Sequence, residues 1–446
     1  MASPIELKIV RDTNNTTTTY TEEIILVHTY NPQPGNGIDD ITESIPLQIE
    51  GSKATARATI TSINNMLDTA RFRNEKGYGD KIYLMTRTGG TAESWRRSPI
   101  LDGRLSVTDD GVIAGLASNS RTPTTLTVTR GGYFEDHTVL NVPFYNSNGT
   151  MSADWISFYN CNSGAGTAPN KLNNYGIVNA ASISGDLPAP LLVGLTNTGG
   201  TVNRYIVSLV AVGGNGTANP DYFFKDFSGT ADASCSGGSA AVYTLSSAAE
   251  ADMFTANIYG AGPFLQLGGA PYHVIARFAN NTSLANVKFR LKFQSGTTTI
   301  WQGPQFALSS TDIIQDLGVI NLPPGQSHTW GDGNVVISGQ RTTGSSETIK
   351  LDFLQFLGGT YASLKGIVPI TGTDSLSYGG NNKTIYRVSS SLPRTDWIAY
   401  GADALMLQPG KSNLFQILSQ SSTPGTAAIN YETQVEIWYR PRWSSL

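Results

Sequence analysis

The sequence predicts a mainly β protein with one helix in its N-terminal part and β-sandwich material beyond it. Three observations carry this expectation. Apolar and basic residues alternate strictly through Val287-Lys288-Phe289-Arg290-Leu291-Lys292-Phe293, which gives an antiparallel strand with one face on a core and one on water. Similar strand-length stretches recur at 23–28, 81–86, 105–108, 126–130, 191–196, 205–212, 272–279, 348–356 and 433–440. Turn signals separate them: Pro34-Gly35-Asn36-Gly37, Asp109-Asp110-Gly111, Gly213-Gly214-Asn215-Gly216, Pro323-Pro324-Gly325 and Pro409-Gly410.

In chain order, the helix comes first among the exceptions to this strand period. Ile60, Ile63, Leu67 and Ala70 recur at three- and four-residue intervals over 58–72, which predicts an amphipathic helix packing one stripe on a neighbouring sheet. It should end near Lys76-Gly77, where a glycine can take the left-handed conformation. Composition shifts then suggest four spans. Residues 1–145 form a strand-plus-helix domain, 146–184 are a small-residue linker, 185–371 are a β-sandwich, and 372–446 are a C-terminal β segment that closes the fold. The Gly/Ser/Ala tract 228–239 is too small and polar to be core.

The 446 residues carry 39% hydrophobic and 14% charged side chains, so the chain can build real cores but keeps an unusually neutral surface. With a formal charge of −4 and no basic run, it lacks the electrostatic footprint of a nucleic-acid binder. Cys161 and Cys235 share no metal-ligand spacing and read as separate thiols of a protein folded in a reducing cytoplasm. The opening MASPIELKIVRDTNN has no basic stretch followed by an apolar one, and no run of about 18 apolar residues follows. The expectation is a protein made without a signal peptide and not inserted in a membrane.

Catalytic chemistry finds little to work with. His28, His137, His273 and His328 lie far apart in sequence, and zinc-protease, nucleophile-elbow, P-loop and dinucleotide motifs are absent. The carboxylates Asp102, Asp109, Asp110, Glu135, Asp136, Asp312 and Asp316 could supply a glycosidase pair, but turn and cap roles explain them as well. Sugar binding has more support, because exposed aromatics stack on pyranose faces and this chain sets 7 Trp and 19 Tyr in a Thr/Asn/Ser background. The candidate glycan contacts are Trp301, in Thr299-Ile-Trp-Gln-Gly-Pro, and Trp330, in His328-Thr-Trp-Gly-Asp. A buried core-edge role is the competing reading, favoured for Trp301 and evenly matched for Trp330. The Asn-x-Ser/Thr matches at Asn148, Asn215 and Asn281 are what chance gives in such a composition.

Three segments together resemble the distal tail proteins of long-tailed bacteriophages, the rings that join a tail tube to a baseplate or host-binding tip. The first is Ile82-Tyr-Leu-Met-Thr-Arg-Thr followed by Trp95-Arg-Arg-Ser-Pro-Ile-Leu-Asp-Gly103-Arg-Leu, similar to a strand pair in that family's ring domain. The second is Val178-Asn-Ala-Ala-Ser-Ile-Ser-Gly-Asp-Leu-Pro-Ala-Pro190-Leu-Leu, similar to the segment that opens its galectin-like or jelly-roll domain. The third is the ending, Leu407-Gln-Pro-Gly-Lys-Ser-Asn413 with Val435-Glu-Ile-Trp-Tyr-Arg-Pro-Arg-Trp443, similar to the family's closing turn and final strand, with one extra residue between Gly410 and Asn413. Leu317-Gly-Val-Ile-Asn-Leu-Pro-Pro and Ile349-Lys-Leu-Asp-Phe-Leu-Gln-Phe-Leu further resemble closing strands of a carbohydrate-module jelly roll.

The resemblance implies a ring-type N-terminal β domain with one helix, followed by galectin-like or jelly-roll β-sandwich material. It implies a non-enzymatic virion protein at the tail tip or baseplate, made in the host bacterial cytoplasm. Its partners would be identical copies in a ring, other tail proteins (tube, hub and fibres), and a host surface glycan, with no cofactor, no metal, no nucleic acid and no membrane. A carbohydrate-binding adhesin or receptor-binding protein is the alternative, followed by a tail-tube or capsid-decoration protein.

Overall fold

The computed structural model describes residues 5–13, 17–21, 24–26, 32–77, 79–88, 94–107, 121–146, 151–152, 155–158, 174–198, 200–212, 224–232, 235, 238–257, 271–279, 283–309, 312–321, 333–372, 374–379, 384–387, 394–400, 404–421 and 433–446. Within them the fold is mainly β with one α-helix, as the sequence predicts. The chain separates into two compact units. The first takes residues 1–140, 184–189 and 440–446, and the second takes 141–183 and 190–439.

In the first unit, antiparallel strands run in the order Thr17–Thr21, Glu6–Thr13, Lys81–Arg87, Arg96–Val107, Arg121–Arg130, Ile41–Glu50, Ile24–Leu26. The two outermost strands are only two residues apart in sequence. Thr17–Thr21 pairs with Glu6–Thr13 and Ile24–Leu26 with Ile41–Glu50, so two neighbouring segments pair with opposite ends of the sheet. Strand Arg96–Val107 bends within this sheet. Its residues 96–99 pair with Lys81–Arg87 and residues 100–107 with Arg121–Arg130, across a bulge between Ile100 and Asp102.

Helix Lys53–Lys76 supplies part of the core through Ala56, Ile63, Leu67 and Ala70, joined by Ile9, Ile45, Leu47, Leu84 and Leu126. Burying a side chain such as Leu67 is worth roughly 1.5–3 kcal/mol. Gly103 permits the close fit: a Cβ there would stand 2.9 Å from the Thr127 carbonyl oxygen and 3.2 Å from the Leu67 side chain. The helix starts five residues before the expected 58 because Ser52 caps it, its hydroxyl accepting from the Thr55 N–H at 3.2 Å. It ends on Gly77 in the left-handed conformation, as predicted.

The second unit is a stack of four antiparallel sheets, here called layers one to four. Layer one contains Ile156–Phe158, Thr433–Tyr439, Ala189–Asn197, Ser375–Gly379 and Thr384–Arg387. Layer two contains Phe144–Asn146, Tyr175–Val178, Ser412–Ser421, Thr201–Val212, Thr360–Thr371 and Trp397–Tyr400. The rings of Phe144 and Phe158, 5.7 Å apart and stacked, and of Phe158 and Phe415 join these two layers. Layer three holds Ser239–Leu245, Glu347–Leu357, Pro271–Phe278 and Ile314–Asn321. Layer four holds Ala251–Asn257, Gly333–Arg341, Val287–Ser295 and Thr298–Gln302. Layers three and four enclose the largest apolar cluster, including Val274, Phe278, Phe289, Leu291, Ile337 and Phe356.

Layer two is therefore covered on both sides. Ile206, Tyr361 and Leu418 meet Ile275, Phe353 and Leu357 of layer three. Layers three and four lie between Thr201–Val212 and Thr360–Thr371, which pair with each other up to Leu209↔Thr360. One sandwich is thus inserted into a hairpin of another.

The four spans drawn from composition distribute differently over this architecture. The stretch read as a linker, 146–184, contributes Ile156–Phe158 and Tyr175–Val178 to layers one and two. The span 185–371 divides between two sandwiches. Of 372–446, strands as far as Tyr439 belong to the second unit and residues 440–446 to the first. A chain that leaves a unit and returns to it shows no composition shift at the return, which is why these boundaries could not be read from sequence. The turn signals at 109–111, 213–216 and 323–325 lie outside the described residues.

Candidate functional site

The most concentrated chemistry of the first unit lies where four short strand segments run side by side. Residues 96–97 pair on one side with Thr86 and Met85 and on the other with Asp136 and Glu135. Phe134–Asp136 in turn pairs with Arg442–Trp443 near the end of the chain. This register sets Arg97, Glu135 and Arg442 directly opposite one another on consecutive strands, a cation–anion–cation row.

The row is nearly closed to water, with side-chain exposures of 8%, 8% and 7%. Arg97 donates to Glu135 Oε1 at 3.0 Å through Nε, and its NH2 stands 2.9 Å from the same oxygen. Arg442 Nε lies 3.7 Å from Glu135 Oε2. Each guanidinium also covers an aromatic ring, Arg97 that of Tyr83 at 4.2 Å and Arg442 that of Tyr133 at 3.7 Å. Burial pushes the Tyr133 hydroxyl up to about 12 and that of Tyr83 higher, so both stay protonated.

Around the row stand Lys81, Arg96, Arg440, Asp12 and Asp136, giving five cations against three carboxylates. Burial, with nearby Arg73 and Arg97, lowers the Lys81 ammonium from its ordinary value. Burial beside Arg97 does the same to Arg440, whose guanidinium donates to the carbonyl of His137. Burial raises Asp136 despite the indole N–H of Trp443, which donates to its Oδ1 at 3.1 Å. The Trp443 ring lies under the Arg96 guanidinium, 4.3 Å from its centroid.

A third piece of chain locks this ending in place. The N–H groups of Asp186 and Leu187 donate to the Arg442 carbonyl at 2.9 and 3.1 Å. The Asp186 carboxylate accepts from the N–H and hydroxyl of Ser444, both at 2.6 Å. Gly185 sits at φ +102°, and a Cβ there would come within 2.5 Å of the Arg442 oxygen, so this approach requires glycine. The arrangement is suited to clamping: ion pairs and stacked rings hold three remote segments together.

The residues singled out from sequence are placed as follows. Trp301 lies on Thr298–Gln302, an edge strand of layer four whose five residues are all exposed. It is 40% exposed, which overturns the reading that favoured burial. It stands opposite Phe293, and so on the core side of its sheet, with Gly303 beside the ring. Trp330 and His328 lie outside the described residues. Asp102 is held by Arg71 Nε at 2.6 Å, and Asp316 by the Tyr361 hydroxyl at 3.0 Å. Cys235 is a buried thiol, and Cys161 lies outside the described residues. Among the described residues no cluster of His, Cys, Asp and Glu is placed to hold a metal, and no helix is long and apolar enough to cross a membrane.

Sequence reasoning missed the Arg97–Glu135–Arg442 row. Its only signal was that Arg97 and Arg442 each sit in a basic-aromatic motif, Trp-Arg-Arg and Arg-Pro-Arg-Trp.

No protein-family model and no curated protein matches this sequence. Among solved structures, one described as the phage P2 baseplate in its activated conformation with Ca aligns at 7% identity over 99% of both chains, with a TM-score of 0.29. The Dit protein of phage SPP1, described as a paradigm of the hub adsorption apparatus in phages infecting Gram-positive hosts, aligns at 7% identity. It covers 99% of this chain and 89% of its own, with a TM-score of 0.24. A phage p2 baseplate with Sr aligns at 10% identity over 99% of both chains, with a TM-score of 0.25. TM-scores this low do not establish a shared topology, and the roles named for those structures are theirs.

Proposed function

We infer that this chain is a non-enzymatic structural component of a bacteriophage virion, a tail-tip or baseplate ring subunit that joins the tail tube to host-binding parts. One observation supports the reading above the others. The three segments that resemble distal tail proteins come from the N-terminal part, the middle and the end of the sequence, and pieces of all three meet in one clamp: Arg96 and Arg97, Gly185 to Leu187, and Arg442 and Trp443. Motifs matched by chance have no reason to be neighbours in space. In this reading the first unit forms the ring with identical copies, and the stacked sandwiches of the second unit carry the outward-facing contacts. A closed ring needs a head-to-tail contact whose rotation closes.

Electron micrographs of the purified protein, alone and mixed with its tail-tube protein, test this. Closed rings of one subunit number are the expected result. A monomer at high concentration that forms no ring with tail partners would overturn it.

A further inference from the structure

The helix core lies on one face of the first unit's sheet, through Leu7, Ile9, Ile82 and Leu84. Alternation along the strands sends Asp12, Lys81 and Tyr83 to the opposite face, and cross-strand pairing adds Arg97, Glu135 and Arg442 there. On this face the cations Lys81, Arg97, Arg440 and Arg442 meet only the carboxylates Asp12 and Glu135, while the neighbouring Arg96 and Asp136 offset each other at 3.8 Å. Two positive charges remain without an acid. We propose that this face is a binding site for a doubly charged tetrahedral oxyanion, as inorganic phosphate and sulfate are.

Both carboxylates are already engaged. Arg97 and Arg442 converge on Glu135, and Arg97 NH1 also stands 3.7 Å from Asp12. Lys81 is half-buried and directly opposite Asp12, yet among the described residues its ammonium makes no hydrogen bond or ion pair. Arg440 spends its guanidinium on the backbone carbonyls of Asp136 and His137. The Nε of Arg442 and the Nδ1 of His137 are buried with no hydrogen-bond partner. A charge ladder built only for stability alternates its signs, as Arg97, Glu135 and Arg442 do, because buried charge without a counter-charge is costly. Lys81 and Arg440 break that alternation. Burial and the nearby arginines together lower Lys81, His137 and Arg440 from their ordinary values, and an anion among them would oppose all three shifts.

The chemistry selects the ligand class. A surplus of two charges matches a dianion better than chloride or a single carboxylate. Guanidinium, ammonium and imidazole groups, with the protonated hydroxyls of Tyr83 and Tyr133, are all donors suited to several oxygens on one centre. Asp12, Lys81, His137 and Arg440 are each partly exposed, so the cluster is within reach of solvent even though Arg97, Glu135 and Arg442 are buried.

The site does not depend on the virion reading, and its test uses the full chain in a slightly alkaline, phosphate-free buffer. Inorganic phosphate and sulfate at millimolar concentration should each raise the unfolding temperature and titrate one site per chain by calorimetry. Acetate and chloride at equal ionic strength should do neither. Lys81→Gln removes a cation that has no partner. Without anion it should unfold at the native temperature or above it, and it should bind phosphate about tenfold more weakly. Lys288→Gln, in the second unit, should leave binding unaltered. The proposal is overturned if neither dianion binds, if acetate or chloride stabilises as well as phosphate, or if binding survives Lys81→Gln. A Lys81→Gln chain that melts lower without anion overturns it too, because Lys81 would then be compensated within the protein. Anion binding is read on the isolated chain, so its result stands apart from that of the ring experiment.

Discussion

At the scale of single residues, the largest commitments are buried charges paired with each other. Arg277 and Asp352 are both fully buried and paired with each other inside the second unit. Removing one partner strands the other charge in a low-dielectric interior. Arg277→Met should therefore lower the free energy of unfolding by about 3–5 kcal/mol, and adding Asp352→Leu should restore most of it, as read by urea denaturation. Asp316 carries a pH dependence. Burial pushes its carboxyl up, but His273, the Gly318 N–H and the Tyr361 hydroxyl outweigh this and hold it below the ordinary carboxylate value. The stability it contributes is full above the ordinary value and is lost as pH falls through the lower, folded one. Thermal melts across the acid range should show this decline, and Asp316→Asn should remove part of it. At Gly185, a Cβ has nowhere to go beside the Arg442 oxygen. Gly185→Ala should cost roughly 1–3 kcal/mol locally and speed amide exchange at residues 440–446. None of these partnerships could be read from sequence. Glu135 looked like one loop acid among several, because its two arginines lie far away along the chain.

At the scale of elements, the helix shows what periodicity reveals and what it hides. Ile63, Leu67 and Ala70 marked its buried stripe, but its first turn, Lys53-Ala-Thr-Ala-Arg, holds no large apolar residue and gave no period. The hydroxyl of Ser52 sets the start, and Ser52→Ala should destabilise the first unit by about 1 kcal/mol in denaturant titrations. Strand Ser412–Ser421 escaped the strand pattern for another reason. It lies between two other layers, so Phe415 meets layer one while Leu418 and Gln420 meet layer three. A strand buried on both faces loses its alternation. Here buried amides disguise it further: Gln416 accepts from Ser208 at 3.2 Å, and Gln420 donates to Asp312. The turn before it was legible, since Asn413 closes Pro409-Gly410 by donating to the carbonyls of Gln408 and Lys411 at 3.0 and 2.8 Å.

At the scale of the whole molecule, the architecture is a nested insertion. The second unit is entered and left twice from the first, and layers three and four are inserted within the second. The contact between layers two and three mixes apolar side chains with amide pairs, Asn174 donating to Gln355 at 2.8 Å, unlike the apolar core between layers three and four. Replacing residues 213–358 with a short Gly-Ser linker should leave layers one and two folded, since Leu209 and Thr360 are already neighbours. Circular dichroism and a cooperative melt would check this, with some loss of stability expected from exposing Ile206, Tyr361 and Leu418. A chain that failed to fold would show that the two sandwiches form one cooperative body.

The sequence by itself determined the secondary structure class, the single helix with its buried stripe, part of the strand series and the neutral surface, because these depend on local periodicity and composition. It also placed the basic-aromatic motifs, though not what they face. Only the tertiary structure decided that the chain ending returns to the first unit, that Arg97, Glu135 and Arg442 form a row, and that Trp301 is exposed at an edge. Each of these depends on pairing between segments distant in sequence. Such pairing is set by which faces can be buried together, and no local pattern records it.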